Sequence, residues 1–196
     1  MAMPHSLSFR DGAVWTVDDL EQLPNDGNRY EILHGELLVT PMPTWGHQGV
    51  AVRLTGLLFN WCRAHPDWSI RAPGGVYISQ TTWLEPDVAV YRAPDLADLS
   101  WKVLPPPVLV VEVLSPSTTR RDRFRKRPAY LNHGVGELWT VDAQARTIER
   151  WTSASEFPDL CHDAFTWTPP APLPAGTQPL EVSFVELFGP PPDGSA

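Results

Sequence analysis

The sequence predicts a mixed α/β fold, a β-sheet with helices packed on it, and two stretches and the order of the elements carry that prediction. Val108 to Leu114 is apolar except for Glu112, the signature of a central strand covered on both faces. Between His47 and Arg63, apolar residues Val50, Leu54, Leu57, Leu58 and Trp61 recur mostly at three- and four-residue steps, which describes an amphipathic helix. The overall order is helix, hairpin, helix, strands, central strand, helix, strands, and such an order builds a sheet flanked by helices.

The elements follow in chain order. Thr16 has an acid, Asp19, three positions later, so a short helix starts there and ends at Pro24-Asn25-Asp26-Gly27. Tyr30–Leu33 and Glu36–Val39 flank His34-Gly35, a two-residue hairpin signal. After the long helix come strands at Ser69–Ala72, Val76–Ser79 and Trp83–Tyr91. Val108–Leu114 follows a proline-bearing loop. Ser115-Pro116-Ser117-Thr118 caps a helix from about Thr119 to Asn132, with Pro128 as a potential kink and His133-Gly134 as its end. Glu137–Val141 and Thr147–Trp151 read as further strands, and Phe184–Phe188 as a helical turn. Trp45, Trp61, Trp83, Trp101 and Trp139 are assigned to packing or to an interface, with nothing to mark them as base-stacking platforms.

At 196 residues the chain reads as a single domain, 1–196, with its core at about 15–188 between an N-terminal tail and a proline-rich C-terminal tail. Apolar residues make up 42%, a globular composition. No stretch has the roughly 18–20 apolar residues that cross a bilayer, and Met1–Asp11 lacks the pattern of a signal peptide. Cys62 and Cys161 form no metal-spaced pair and read as reduced thiols, so a cytoplasmic protein without membrane contact is expected. The net charge of −8 argues against general attraction to nucleic acid. Its distribution matters, because no Lys or Arg follows Arg150 while six of the fifteen basic residues lie between Arg120 and Arg127. That run suits either a local basic face or a solvated helix.

The chemistry concentrates in acids placed among apolar residues. A carboxylate inside a Val/Leu strand is costly unless it is paired or bound to a cation, and Glu112 sits in such a strand. Asp87 heads another apolar run after Glu85-Pro86, and Glu31 lies in Tyr30-Glu31-Ile32-Leu33. Asp122, Lys126 and Tyr130 are four apart, so they share one helix face, with Arg123 and Arg127 as the adjacent stripe. Carboxylates on neighbouring strands hold a divalent cation, and a nearby lysine stabilises charge that grows on a phosphate. Hydrolysis of a phosphodiester needs these parts.

Pro86-Asp87-Val88-Ala89-Val90, then Val111-Glu112-Val113-Leu114-Ser115-Pro116-Ser117-Thr118, then Asp122 and Lys126 resemble the Uma-type family of the PD-(D/E)XK, restriction-endonuclease-like superfamily. Tyr30–Leu37, His47-Gln48, Tyr130, Gly134-Val135, Glu137–Trp139 and Val141-Asp142 extend the resemblance over about residues 15–188. It implies a four- or five-stranded mixed core sheet flanked by helices and a site for Mg²⁺ (or Mn²⁺). It implies Asp87 and Glu112 as metal ligands with the Val113 carbonyl as a further one, and Lys126 activating the water. Glu31 and His47 would complete the catalytic pocket. The superfamily's usual lysine position is Leu114 here, and Lys126 matches a lysine migrated to the following helix. The implied partner is nucleic acid, DNA foremost, and superfamily analogy adds a homodimer. Two rivals stand beside this reading: a nuclease-fold binding or regulatory protein without catalysis, and a metal-independent hydrolase of glycoside type using two carboxylates. Glu36 and Asp122 are expected to be structural, and Tyr130 a core anchor.

Overall fold

A computed structural model of the chain describes residue 12 and residues 14–93, 104–114 and 120–190, the side chains of residues 120–123 excepted. Trp101 and the capping run Ser115–Thr118 therefore lie outside the described residues, as does the side chain of Asp122.

Thr16 caps a 3-10 helix, Val17–Gln22, its N–H and hydroxyl both donating to Asp19 Oδ2 at 2.8 Å. Strands β1 (Arg29–Leu33) and β2 (Glu36–Thr40) form the hairpin. Its turn residues His34 and Gly35 take φ of 52° and 81°, the left-handed pair that matches strand twist. Val14 Cγ1 would lie 2.6 Å from any Cβ at position 35, so glycine is required there twice over.

Helix α1 (Trp45–Ala64) turns His47, Val50, Leu54, Leu58, Trp61 and Cys62 inward. Its opposite face carries Gly49 and Gly56, where an added Cβ meets nothing within 4 Å. Glycine inside a helix costs about 0.5–1 kcal/mol relative to alanine. Gly56→Ala is therefore expected to stabilise the fold by about that much, read from urea unfolding in dilute solution.

Strands β3 (Trp68–Arg71), β4 (Val76–Ser79), β5 (Thr82–Leu84) and β6 (Val88–Arg92) follow. The run expected as one strand, Trp83–Tyr91, is two. Pro86 has no N–H to give a ladder, and at Glu85-Pro86 the chain leaves one sheet for another. Beyond β7 (Leu109–Val113) come α2 (Arg120–His133), β8 (Glu137–Asp142) and β9 (Thr147–Trp151). Three short strands the sequence reading missed, β10 (Asp159–Cys161), β11 (Phe165–Trp167) and β12 (Leu180–Val182), precede α3 (Phe184–Phe188).

The main sheet has the order β10-β9-β8-β7-β6-β3, six strands rather than the four or five implied by resemblance. Among the described residues its one parallel pair, β7–β8, is joined through α2. A second, antiparallel sheet has the order β2-β1-β5-β4, and β11–β12 pair separately. Alternation along β7 sorts the core. Leu109, Val111 and Val113 pack with Val50, Leu54 and Leu58 of α1. Val110 faces the other way, with Leu33, Val76 and Leu84 of the second sheet and Tyr130 of α2. Glu112 shares the face of Val110. Two layers thus meet around its carboxylate.

Buried Glu137 accepts hydrogen bonds from Trp139 Nε1 (2.8 Å), Arg150 Nε (2.7 Å) and Trp167 Nε1 (3.1 Å), tying β11 to the main sheet. Trp61 and Trp139 are buried as expected, and Trp83 is half-buried. Trp45 is not packed: it is 90% exposed, because helical rotation places it opposite the Val50 stripe. Pro128 lies within α2 and cannot donate to the carbonyl of Phe124, one turn earlier.

Candidate active site

Strand register brings the two central acids together. The antiparallel β6–β7 ladder pairs Val88 with Val111 and Ala89 with Val110. One residue further along that ladder, Asp87 stands opposite Glu112, both on the Val110 face. The Val113 N–H donates to Asp87 Oδ2 at 2.8 Å and fixes this end of the pair.

Three other elements add side chains. From β1, Arg29 and Glu31 are two residues apart and so share a face. Arg29 Nη2 lies 2.9 Å from Asp87 Oδ1, while its Nη1 donates to the Glu85 carbonyl at 3.1 Å. Glu31 Oε1 accepts the Glu85 N–H at 2.9 Å. From the first turn of α1, His47 Nε2 lies 3.3 Å from Asp87 Oδ2, and His47 Nδ1 is buried with no partner among the described residues. From α2, Lys126 Nζ reaches Glu31 Oε2 at 2.6 Å and Glu112 Oε1 at 3.4 Å. The Tyr130 hydroxyl donates to the same Glu112 oxygen at 2.8 Å.

The electrostatics follow from burial and these contacts. Burial alone would raise the Asp87 carboxyl, but the His47 hydrogen bond, the Arg29 charge and the Val113 N–H hold it below the ordinary range. Glu112 goes the other way. Burial, with Glu31 and Asp87 as like-charged neighbours, pushes it up to about 7 despite the opposing pull of Lys126 and Tyr130. Burial disfavours the Lys126 ammonium, yet Glu112 and Glu31 outweigh it and raise the amine above its usual value. Opposed shifts in two adjacent carboxylates occur both at chemistry-bearing sites and in buried ion-pair networks.

The sequence-predicted residues Asp87, Glu112, Val113, Lys126, Glu31 and His47 all line one pocket. Arg29, Tyr130, Arg127 and Thr140 join them, none of which sequence reasoning assigned to the site. Arg29 was visible as the same-face neighbour of Glu31, and Tyr130 as the i+4 neighbour of Lys126. Thr140 pairs with Glu112 across β7–β8. Tyr130 is the core anchor expected of it and also a hydrogen-bond donor to the acid. Glu36 instead meets Arg125 at the surface, 2.5 Å away. Arg127 lies over the Trp151 ring at 3.8 Å.

The donor set suits a hard divalent cation. Asp87 spends three of roughly four lone-pair directions on Arg29, His47 and Val113, which leaves one. Among the described residues no group of three or more His, Cys, Asp or Glu is placed to hold a metal ion. Mg²⁺ is commonly bound through one or two carboxylates plus waters, and Asp87 and Glu112 are the two acids that would supply them.

A family model, Uma2, described as "putative restriction endonuclease", matches residues 17–183. The fold is also that of a crystal structure from Anabaena variabilis, titled a putative nuclease belonging to DUF820. It is 19% identical, with a TM-score of 0.71, covering 89% of this chain and 97% of that one. No curated protein matches the sequence. No helix among the described residues is long and apolar enough to cross a membrane.

Proposed function

The chain belongs to the Uma2 family, and from that premise we propose that it is a metal-dependent endonuclease hydrolysing phosphodiester bonds in DNA. The observation that carries the reading is the convergence of Asp87 and Glu112 with Lys126 Nζ 3.4 Å from the latter. Asp87, Glu112 and the Val113 carbonyl would hold Mg²⁺ or Mn²⁺, which polarises a phosphate and lowers the pKa of bound water. Arg29 and His47 keep Asp87 ionised and oriented. Tyr130 fixes the position of Glu112. Lys126 places positive charge beside the acids, where charge on the phosphate grows in the transition state. Glu31 anchors that amine through its 2.6 Å contact. The reading extends to a cytoplasmic protein, and to a homodimer, since one site per chain serves two strands best as a symmetric pair.

Supercoiled plasmid incubated with the chain and Mg²⁺ or Mn²⁺ tests this. The wild type is expected to nick or linearise the DNA, and Asp87→Ala/Glu112→Ala to do so at least about a hundredfold more slowly. Equal rates would remove the mechanism. Absence of cleavage together with no Glu112-dependent metal binding by calorimetry would leave a binding protein instead.

A further inference from the structure

The outer face of α1 has a pattern that its own fold does not use. Trp45, Gly49, Val52, Gly56, Phe59 and Arg63 recur at alternating steps of four and three, a heptad seam. At about 100° per residue this seam lies diametrically opposite the buried stripe of Val50, Leu54, Leu58 and Trp61. Trp45, Val52 and Phe59 are 90%, 70% and 51% exposed. The interleaved glycines touch nothing that a Cβ would displace, so the monomer has no steric need of them. Large apolar knobs alternating with glycine holes describe a surface complementary to itself.

We infer that this face of α1 is where a second copy of the chain docks, antiparallel, across a twofold axis. The inference deepens the homodimer part of the proposed function, and its test reads mass rather than cleavage, so either can fail alone. The register follows from the spacing. Setting Val52 into the hole at Gly56 of the second copy also sets Phe59 at its Gly49 and Arg63 at its Trp45, and the axis repeats each contact. Arg63 supplies the charge complementarity, its guanidinium against an indole face that attracts cations. Helix α1 has no acidic residue to oppose the approach. The two aromatic rings expose on the order of 300 Å² per copy, against roughly 800 Å² per partner in a standard interface. Val52, Arg63 and a polar flank of Gln48 and Asn60 complete an apolar centre with a polar rim, the anatomy of a reversible dimer. The same helix carries His47. In this register the two His47 residues stand fourteen residues apart along the helix axis, about 21 Å.

Sedimentation velocity on the full metal-free chain tests the proposal, at concentrations up to about 100 μM, where micromolar dimers are populated. The wild type is expected at twice its 21.9 kDa chain mass. Val52→Glu and Gly56→Leu should each raise the dimer Kd at least about 30-fold with near-UV circular dichroism unchanged. Gly56→Leu separates shape from stickiness, because it adds apolar surface while filling the hole. A Val52→Cys/Gly56→Cys chain should form a disulfide-linked dimer on mild oxidation. A wild type of single-chain mass, a dimer that survives either substitution, or a double-cysteine chain that does not cross-link would overturn the inference.

Discussion

A Lys126→Met chain is expected to lose about 3–5 kcal/mol of stability at pH 8, the cost of stranding buried charge. The ammonium is the neighbour of two carboxylates at once, and its side chain is only 14% exposed while that of Glu31 is 1% exposed. Methionine keeps the length and apolar stem but removes the charge. The pH dependence has a definite sign. The amine's folded pKa is raised, so its contribution is fully present below the unfolded lysine value near 10.4 and is lost only as pH climbs through the folded value. Between pH 8 and 5 the change comes instead from the acids. Without the pull of Lys126 the Glu112 carboxyl titrates higher still than in the wild type, so as pH falls it is protonated, less charge is left stranded and the variant closes on the wild type. Adding Glu31→Gln to Lys126→Met should recover more than half of the loss. Urea unfolding across this pH range checks both statements. A loss below about 1 kcal/mol would place the amine in solvent rather than between the acids.

Glu112→Gln acts in the opposite direction on stability while abolishing the proposed cleavage. Its carboxyl is raised from 4.5 to about 7 in the folded chain, so ionisation costs the native state free energy. That cost is absent below pH 4.5, grows between 4.5 and 7, and is complete above. Glutamine removes it and still accepts from Tyr130, while Lys126 keeps its shorter contact to Glu31. The metal-free variant is expected to be about 1–2 kcal/mol more stable than wild type at pH 8, after allowance for the water that Glu112 still meets. At pH 4 the two should be indistinguishable. Thermal unfolding in EDTA measures the difference, and a destabilised Glu112→Gln at pH 8 would reverse the sign assigned to that acid. Stability gained at the expense of activity is the usual balance at a strained site.

Much of this arrangement was legible in the sequence, because acids inside apolar strands break a local rule and demand a cause. Glu112 did so, whereas Asp87 and Lys126 stood out chiefly through the resemblance to the Uma-type family, and the four-residue spacing of Lys126 and Tyr130 gave the helix face that meets them. Register was not legible: that Asp87 opposes Glu112 depends on the β6–β7 ladder, set by packing over the whole sheet. Arg29 was passed over because its role comes from a partner 58 residues away. The run at Trp83–Tyr91 looked continuous because apolar content outweighed the single interruption at Pro86. The short strands β11 and β12 were hidden in proline-rich surroundings, although Phe165-Thr166-Trp167 and Leu180-Glu181-Val182 both alternate apolar and polar residues. Residue type left Trp45 between packing and an interface, and rotation about the α1 axis decides its exposure.

The proline within α2 divides that helix into two levers. The downstream lever carries Tyr130, wholly buried and rooted in the core. The upstream one carries Lys126 beside solvent-facing Phe124, whose carbonyl Pro128 leaves without its helical amide. The ammonium and the hydroxyl that meet Glu112 thus stand on either side of one missing helical hydrogen bond.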